Sequence, residues 1–238
     1  MRTNIVRVGP VAALLVSLLV QGHLTADSAL ESLEQREGAA IFERVERANA
    51  EREARLRSYE SMRQYTVWEP GHAPDAELVV SMRFVAPSEK TFGEPAERGV
   101  GWIHKRVFHG LMRAEQEAAN GRERTENALV PANYAARLVG EESCGDRDCY
   151  VLALEPRRRS KYLLTGKVWI DKSDLAIARI EGEPIKSPSM WVERAHIVRE
   201  YDRVEGFWLP TRDETHCAIR FVGEYVLAIK YFDYRVVP

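Results

Sequence analysis

The chain has 238 residues, 45% of them hydrophobic and 29% charged, with 15 Gly, 11 Pro and three Cys. That mix excludes collagen-like, disordered and disulfide-dense classes. No apolar run reaches the roughly 18 residues that a helical bilayer span needs, and a formal charge of -2 carries no sign of a nucleic-acid partner.

Arg2 and Arg7 precede a ten-residue apolar core from Val11 to Val20, and a short polar stretch opens at Gln21. This is the layout of a secretory signal peptide over residues 1–26, with small residues that permit cleavage after Gly22 or Ala26. Ten apolar residues are short for a retained anchor, and no cysteine stands near either site to take a lipid. The expected product is a mildly acidic exported chain, residues 27–238, folded as a single domain.

Over residues 27–58, Ile41, Phe42, Val45 and Ala48 recur at helical spacing among alternating Glu and Arg, which predicts one amphipathic helix. Balanced signs on such a helix read as a solvated face rather than a nucleic-acid surface. Next, Leu78, Val80, Met82 and Phe84 alternate with Glu77, Val79, Ser81 and Arg83, a half-buried strand bounded by Pro87. From Gly101 the period changes. Ile103, Val107, Leu111, Ala114 and Ala118 form a helical stripe, widened by Phe108 and Met112 and ended by Asn120-Gly121, so that a lid-like helix is expected over about 101–120. His104 and His109 are five apart on it and diverge around an α-helix, which does not set up a shared metal ion.

From about residue 134 to the end the chain reads as an antiparallel meander. The runs Tyr150 to Leu154, Lys161 to Ile170, Leu175 to Ile180, Trp191 to Val204, Phe207 to Thr215 and Glu224 to Val237 are separated by turn chemistry at Asp171 to Asp174, Glu205-Gly206 and Val222-Gly223. Cys144 and Cys149 flank Gly145-Asp146-Arg147-Asp148 between two strand-like runs, which in an oxidising compartment predicts a hairpin disulfide. Cys217 is read as a buried free thiol. Many short strands with a few helices must curl around those helices, giving a mostly β fold whose concave face doubles as core and as a ligand site.

The chemistry motifs are missing: there is no GxSxG, P-loop, HExxH or GxGxxG, and the six His are scattered without ligand spacing. Glu181, Glu183, Asp171 and Asp174 could be assembled into a glycosidase-like pair, but acidic residues beside hairpin turns are ordinarily turn formers. The run Arg157-Arg158-Arg159-Ser160-Lys161 reads either as solvated loop or as a contact for an anionic partner or lipid headgroup. No enzyme, no cofactor and no metal is therefore expected.

The order of a leader, an amphipathic helix and then Tyr150-Val151-Leu152-Ala153-Leu154-Glu155-Pro156 resembles the bacterial outer-membrane lipoprotein-sorting proteins, the periplasmic LolA/LolB-like carriers and RseB-like sensors. Val168-Trp169-Ile170-Asp171, Ala178-Arg179-Ile180-Glu181-Gly182 and Gly206-Phe207-Trp208-Leu209-Pro210 extend the similarity over about residues 134–238. The resemblance implies a strongly curved, unclosed antiparallel β-barrel with helices in its mouth, enclosing an apolar cavity for acyl chains. It implies a periplasmic carrier of lipid or lipidated protein, or a sensor of the same fold that binds a membrane-anchored protein partner, in either case without nucleic acid and as a monomer. The helix face Ile103, Val107, Phe108 and Leu111 is expected against Leu78, Val80, Met82 and Phe84. Trp169, Trp191 and Trp208 are expected to supply at least one cavity wall, Trp191 foremost because it joins the loop Lys186-Ser187-Pro188-Ser189 to a strand.

Overall fold

A computed structural model describes residues 10–119, 125–160, 163–187 and 190–238, with the side chains of 10–28 and 117–119 excepted. The leader expected over residues 1–26 lies outside the described side chains. A long helix, α1 (Pro10–Arg55), leads into strands β1 (Ser58–Trp68), β2 (Ala76–Val85), β3 (Glu89–Phe92) and β4 (Ala96–Gly99). Helix α2 (Gly101–Ile103), a π turn (His104–Phe108) and α3 (His109–Ala119) follow without a break. The rest is β5 (Tyr134–Cys144), β6 (Arg147–Pro156), β7 (Leu164–Asp171), β8 (Ala176–Pro184), β9 (Val192–Val204), β10 (Phe207–Ile219) and β11 (Gly223–Val237).

The fold is mostly β, as expected: one antiparallel sheet in the order β3-β2-β1-β11-β10-β9-β8-β7-β6-β5, with β4 added beside β2. β3 and β5 are not paired to each other, so the barrel stays unclosed. Register shifts interrupt the ladders of β1 with β11, β9 with β10, β5 with β6 and β7 with β8, and each added residue tightens the local twist. Gly166 and Gly182 stand opposite each other in β7 and β8. A Cβ on Gly166 would come within 2.0 Å of the Glu181 carbonyl oxygen, so the two backbones approach at a bend that only glycine permits.

The helices cover the two halves of the concave face. α1 lays Ile41, Phe42 and Val45 on Tyr134 and Ala136 of β5, Leu152 and Leu154 of β6, and Val168 and Ile170 of β7. Its backbone approaches β5 so closely at Gly38 that a Cβ there would lie 2.5 Å from the Leu138 amide nitrogen. The helix stops at Arg55 rather than Ser58, because Ser58 already pairs with Val85 and Val237 as the first residue of β1. Arg52, in the last turn, donates to the carbonyls of Asp174 and Leu175 at 2.7 and 3.0 Å, which ties that end of α1 to the turn before β8.

The second helical segment covers the other half. Ile103, Phe108 and Met112 pack with Tyr65, Val67, Ala76, Leu78 and Val80, with Val107 and Leu111 at the edge of the cluster. The expected stripe is rotated: Ala114 is exposed and Glu115 turns inward. The π turn is the cause, since its i to i+5 hydrogen bond adds a residue per turn and shifts every later side chain around the axis. The histidines on it serve β4. His104 Nε2 lies 3.0 Å from the Arg98 carbonyl and His109 Nε2 lies 2.6 Å from Glu97 Oε1.

Candidate functional site

Between the two helices the described residues leave the concave face uncovered, and there a cavity of about 1350 Å³ opens. Its helical walls are Ala50, Glu53 and Ala54 of α1 and Leu111, Ala114 and Glu115 of α3. Strand β1 supplies Tyr59, Arg63 and Tyr65, and the end of β2 with its following turn supplies Phe84 through Ser88. β9 adds Arg199 and Tyr201, β10 adds Trp208, Leu209, Pro210 and Asp213, and β11 adds Ile229 and Tyr231. A smaller cavity of about 530 Å³ under the end of α1 shares Tyr201, Trp208 and Leu209 with it.

The floor is polar, which the apolar patterning did not foreshadow. Arg63 of β1 stands beside Tyr231 of β11 in register, and Asp213 of β10 stands beside Arg199 of β9. Arg199 grips Asp213 with Nε at 2.5 Å and Nη2 at 2.7 Å, and the Tyr231 hydroxyl donates to the same carboxylate at 2.6 Å. The Arg63 guanidinium lies 4.9 Å from the Tyr231 ring centre and donates to Glu115 at 2.5 Å. Lys90 reaches the other oxygen of Glu115 at 2.7 Å. An ion pair, a hydrogen bond and a cation–ring contact thus link four adjacent strands, and Arg63 joins them to α3 through the Glu115 carboxylate.

Electrostatics follow from that geometry. Burial alone would raise the Glu115 carboxyl, but the Arg63 and Lys90 charges more than reverse it and hold the group at about 2. Burial opposes the charge of Arg63 and of Arg199, and the carboxylate facing each keeps it protonated above its ordinary range. Tyr59 and Tyr65 are pushed up to about 12, burial being the main cause. Arg199 is not sealed: 46% of its side chain is open, on a residue that lines the cavity. Arg63 Nε and the Tyr65 hydroxyl are buried on the same wall without a hydrogen-bond partner among the described residues.

Of the residues singled out from sequence, Phe84, Leu111 and Trp208 line this cavity. Leu78, Val80, Ile103 and Phe108 are buried in the helix-to-sheet core with Val107 at its edge, and Met82 and Phe84 pack instead with Tyr59, Phe207 and Leu209. The helix therefore meets only the Leu78 and Val80 part of the strand face assigned to it. Val168 and Ile170 face α1, so the pleat turns Trp169, between them, to the other face of the sheet. There it packs with Cys149, Val151 and Ala178 and donates to Glu142 at 2.9 Å. Trp191 stands exposed just before β9. Trp208 lines both cavities and anchors its indole N–H on Asp174 at 2.9 Å.

Several of the remaining candidates have structural partners. Cys144 and Cys149 are joined, with Cα atoms 6.1 Å apart, and Cys217 is free and half-buried. Asp171 accepts from Ser173 and the Asp174 amide as a turn former, and Glu181 pairs with Arg179 and His196. Arg157 donates to the carbonyls of Pro131 and Tyr134, and Arg158 to Asn133 and the Glu126 carbonyl, so these two exposed arginines clamp residues 126–134, while Lys161 of the basic run lies outside the described residues. The residues missed from sequence are Arg63, Glu115, Arg199, Asp213 and Tyr231, whose signal is a charged or phenolic side chain at an inward parity of an otherwise apolar strand or helix face.

No family model and no curated protein matches the chain. Among solved structures it is similar to a LolA superfamily protein from Nitrosomonas europaea, at 15% identity over 82% of this chain and 94% of that one, with a TM-score of 0.39. It is similar to a putative outer membrane lipoprotein-sorting protein domain from Vibrio parahaemolyticus, at 11% identity over 85% and 93%, with a TM-score of 0.45. It is also similar to the MucA/MucB complex structure from Pseudomonas aeruginosa, at 10% identity over 82% and 99%, with a TM-score of 0.29.

Proposed function

We propose that this chain is a periplasmic carrier or binding protein for lipid or lipidated protein, acting as a single-domain monomer, with acyl chains held between sheet and helices. The observation that supports the reading is the cavity of about 1350 Å³, larger than the roughly 300–1,000 Å³ of an ordinary small-molecule site. Its walls combine alanines, Leu111, Leu209, Ile229 and aromatic rings with a floor of arginines and carboxylates. Bare hydrocarbon would waste that floor, whereas an amphiphile lays its chains on the apolar walls and its head against Arg199. Each methylene taken from water contributes about 0.8 kcal/mol.

The test is extraction. Protein purified from the periplasm without detergent should yield an acyl-bearing lipid or lipopeptide by mass spectrometry of its organic extract. Titration with palmitoyl lysophosphatidylglycerol should change the tryptophan emission in wild type and much less in Trp208→Phe. A clean extract together with no spectral response in the wild type would overturn the proposal.

A further inference from the structure

At one end of the sheet, away from the cavity, two turns leave large apolar side chains in solvent. Phe221 is 93% exposed, Met190 77%, Val222 62% and Trp191 58%. The two turns adjoin: Val192 pairs with Ile219, and the Arg220 amide donates to the Trp191 carbonyl at 2.8 Å. Four exposed apolar residues thus stand on two adjoining turns. Scattered single hydrophobic residues on a surface need no explanation, but a cluster does.

Phe221 also sits at φ +65°, the left-handed region that a bulky side chain adopts at a cost and that Gly or Asn occupies readily. A tight turn after β10 is thus built with a residue that neither favours the turn conformation nor packs on the fold. Local choices that oppose foldability concentrate at sites with a function. Around the tip stand the cations Lys186, Arg194 and Arg220 and the anions Glu193 and Glu224, all in exposed positions, with Arg220 paired to Glu193 at 3.3 Å.

We propose that the tip formed by Met190, Trp191, Phe221 and Val222 is an interfacial anchor that inserts among the headgroups of a phospholipid membrane. A lipid surface fits better than a protein groove for two reasons. A stable protein interface buries upwards of about 1,000 Å² in total, far more than four side chains on two turns provide. Aromatic rings with cations beside them are the composition of a membrane-interface belt, where the rings take the headgroup level and the arginines reach lipid phosphates. The anchor stands about 23 Å along β9 from Arg199, so it holds the protein to a bilayer without occupying the cavity.

The experiment is cosedimentation of the full exported chain with vesicles of phosphatidylethanolamine and phosphatidylglycerol at 3:1. Wild type should partition to the vesicles, and Trp191→Asp/Phe221→Asp should lose at least tenfold in partitioning while keeping its circular dichroism and thermal midpoint. Phe221→Gly, which relaxes the turn, should lose partitioning as well, which separates insertion from misfolding. Equal partitioning of wild type and the double variant would overturn the proposal, as would a wild type that does not sediment with vesicles. A wild-type dimer in light scattering that the double variant abolishes would overturn it too, by making the tip a contact between copies of the chain.

Discussion

Glu115 keeps its charge in a partly buried position because Arg63 and Lys90 stand on either side of it at 2.5 and 2.7 Å. Its folded value of about 2 lies below the ordinary 4.5. A depressed carboxylate contributes stability that is fully present above its unfolded value and is lost as pH falls toward the folded one. The window is therefore about pH 5 down to pH 2, and the contribution is on the order of 3 kcal/mol. Denaturant unfolding across that window should show wild type losing more stability than Glu115→Gln, whose own curve is flatter by this amount. At pH 7 the same variant leaves the buried Arg63 without its carboxylate and should cost about 3–5 kcal/mol. Parallel pH curves for the two proteins would show that Glu115 is not held as described. This residue was hidden in the sequence because a stripe counted at 3.6 residues per turn puts Ala114 inward, and nothing in His104 to Phe108 announces the π turn that moves Glu115 there.

At the scale of elements, the strands and turns after Tyr134 were readable because each strand is short and bounded by Gly, Asp or Pro, and the local pattern alone decides them. β1 was not. Its inward positions are Tyr59, Ser61, Arg63, Tyr65 and Val67, and with Ser61 and Arg63 at buried parity the alternation of apolar and polar residues fails even though the strand is central. Phe108 is fully buried against Tyr65 and His104, so Phe108→Ala should cost about 3–5 kcal/mol of stability. A loss below 1 kcal/mol would mean that the helix rides on the sheet as a loose lid. Cys144 and Cys149 close the β5 to β6 hairpin, and for so short a loop the bond should contribute roughly 2 kcal/mol. Titration of denatured protein purified without reductant should find one free thiol, Cys217, and a count of three would remove the disulfide.

For the whole molecule, the curvature of the sheet and the spacing of its two helices create the uncovered strip, and neither is written in any one segment. Bulges, the Gly166 and Gly182 pair and the contact at Gly38 act together, which is why the sequence foretells a concave sheet with helices but not which part of the concave face is left open. The uncovered strip can be narrowed by one substitution that leaves both cores alone. Ala114 lines the cavity from α3 and is outside the apolar cluster beneath the helix, so Ala114→Trp places a large ring in open space and disturbs no packed contact. Thermal unfolding without ligand should stay within about 2 °C of wild type, since a surface change of this kind moves stability by about 0.5 kcal/mol or less. With palmitoyl lysophosphatidylglycerol at 100 times its Kd, linkage adds about 2.7 kcal/mol to wild type, and for a chain of this size that raises the midpoint by roughly 5–11 °C. Ala114→Trp should show little of that rise. If both proteins gain the same amount, the lipid binds elsewhere than between α1 and α3. If the variant unfolds early without ligand, Ala114 belongs to a packed contact and the strip is narrower than its lining residues indicate.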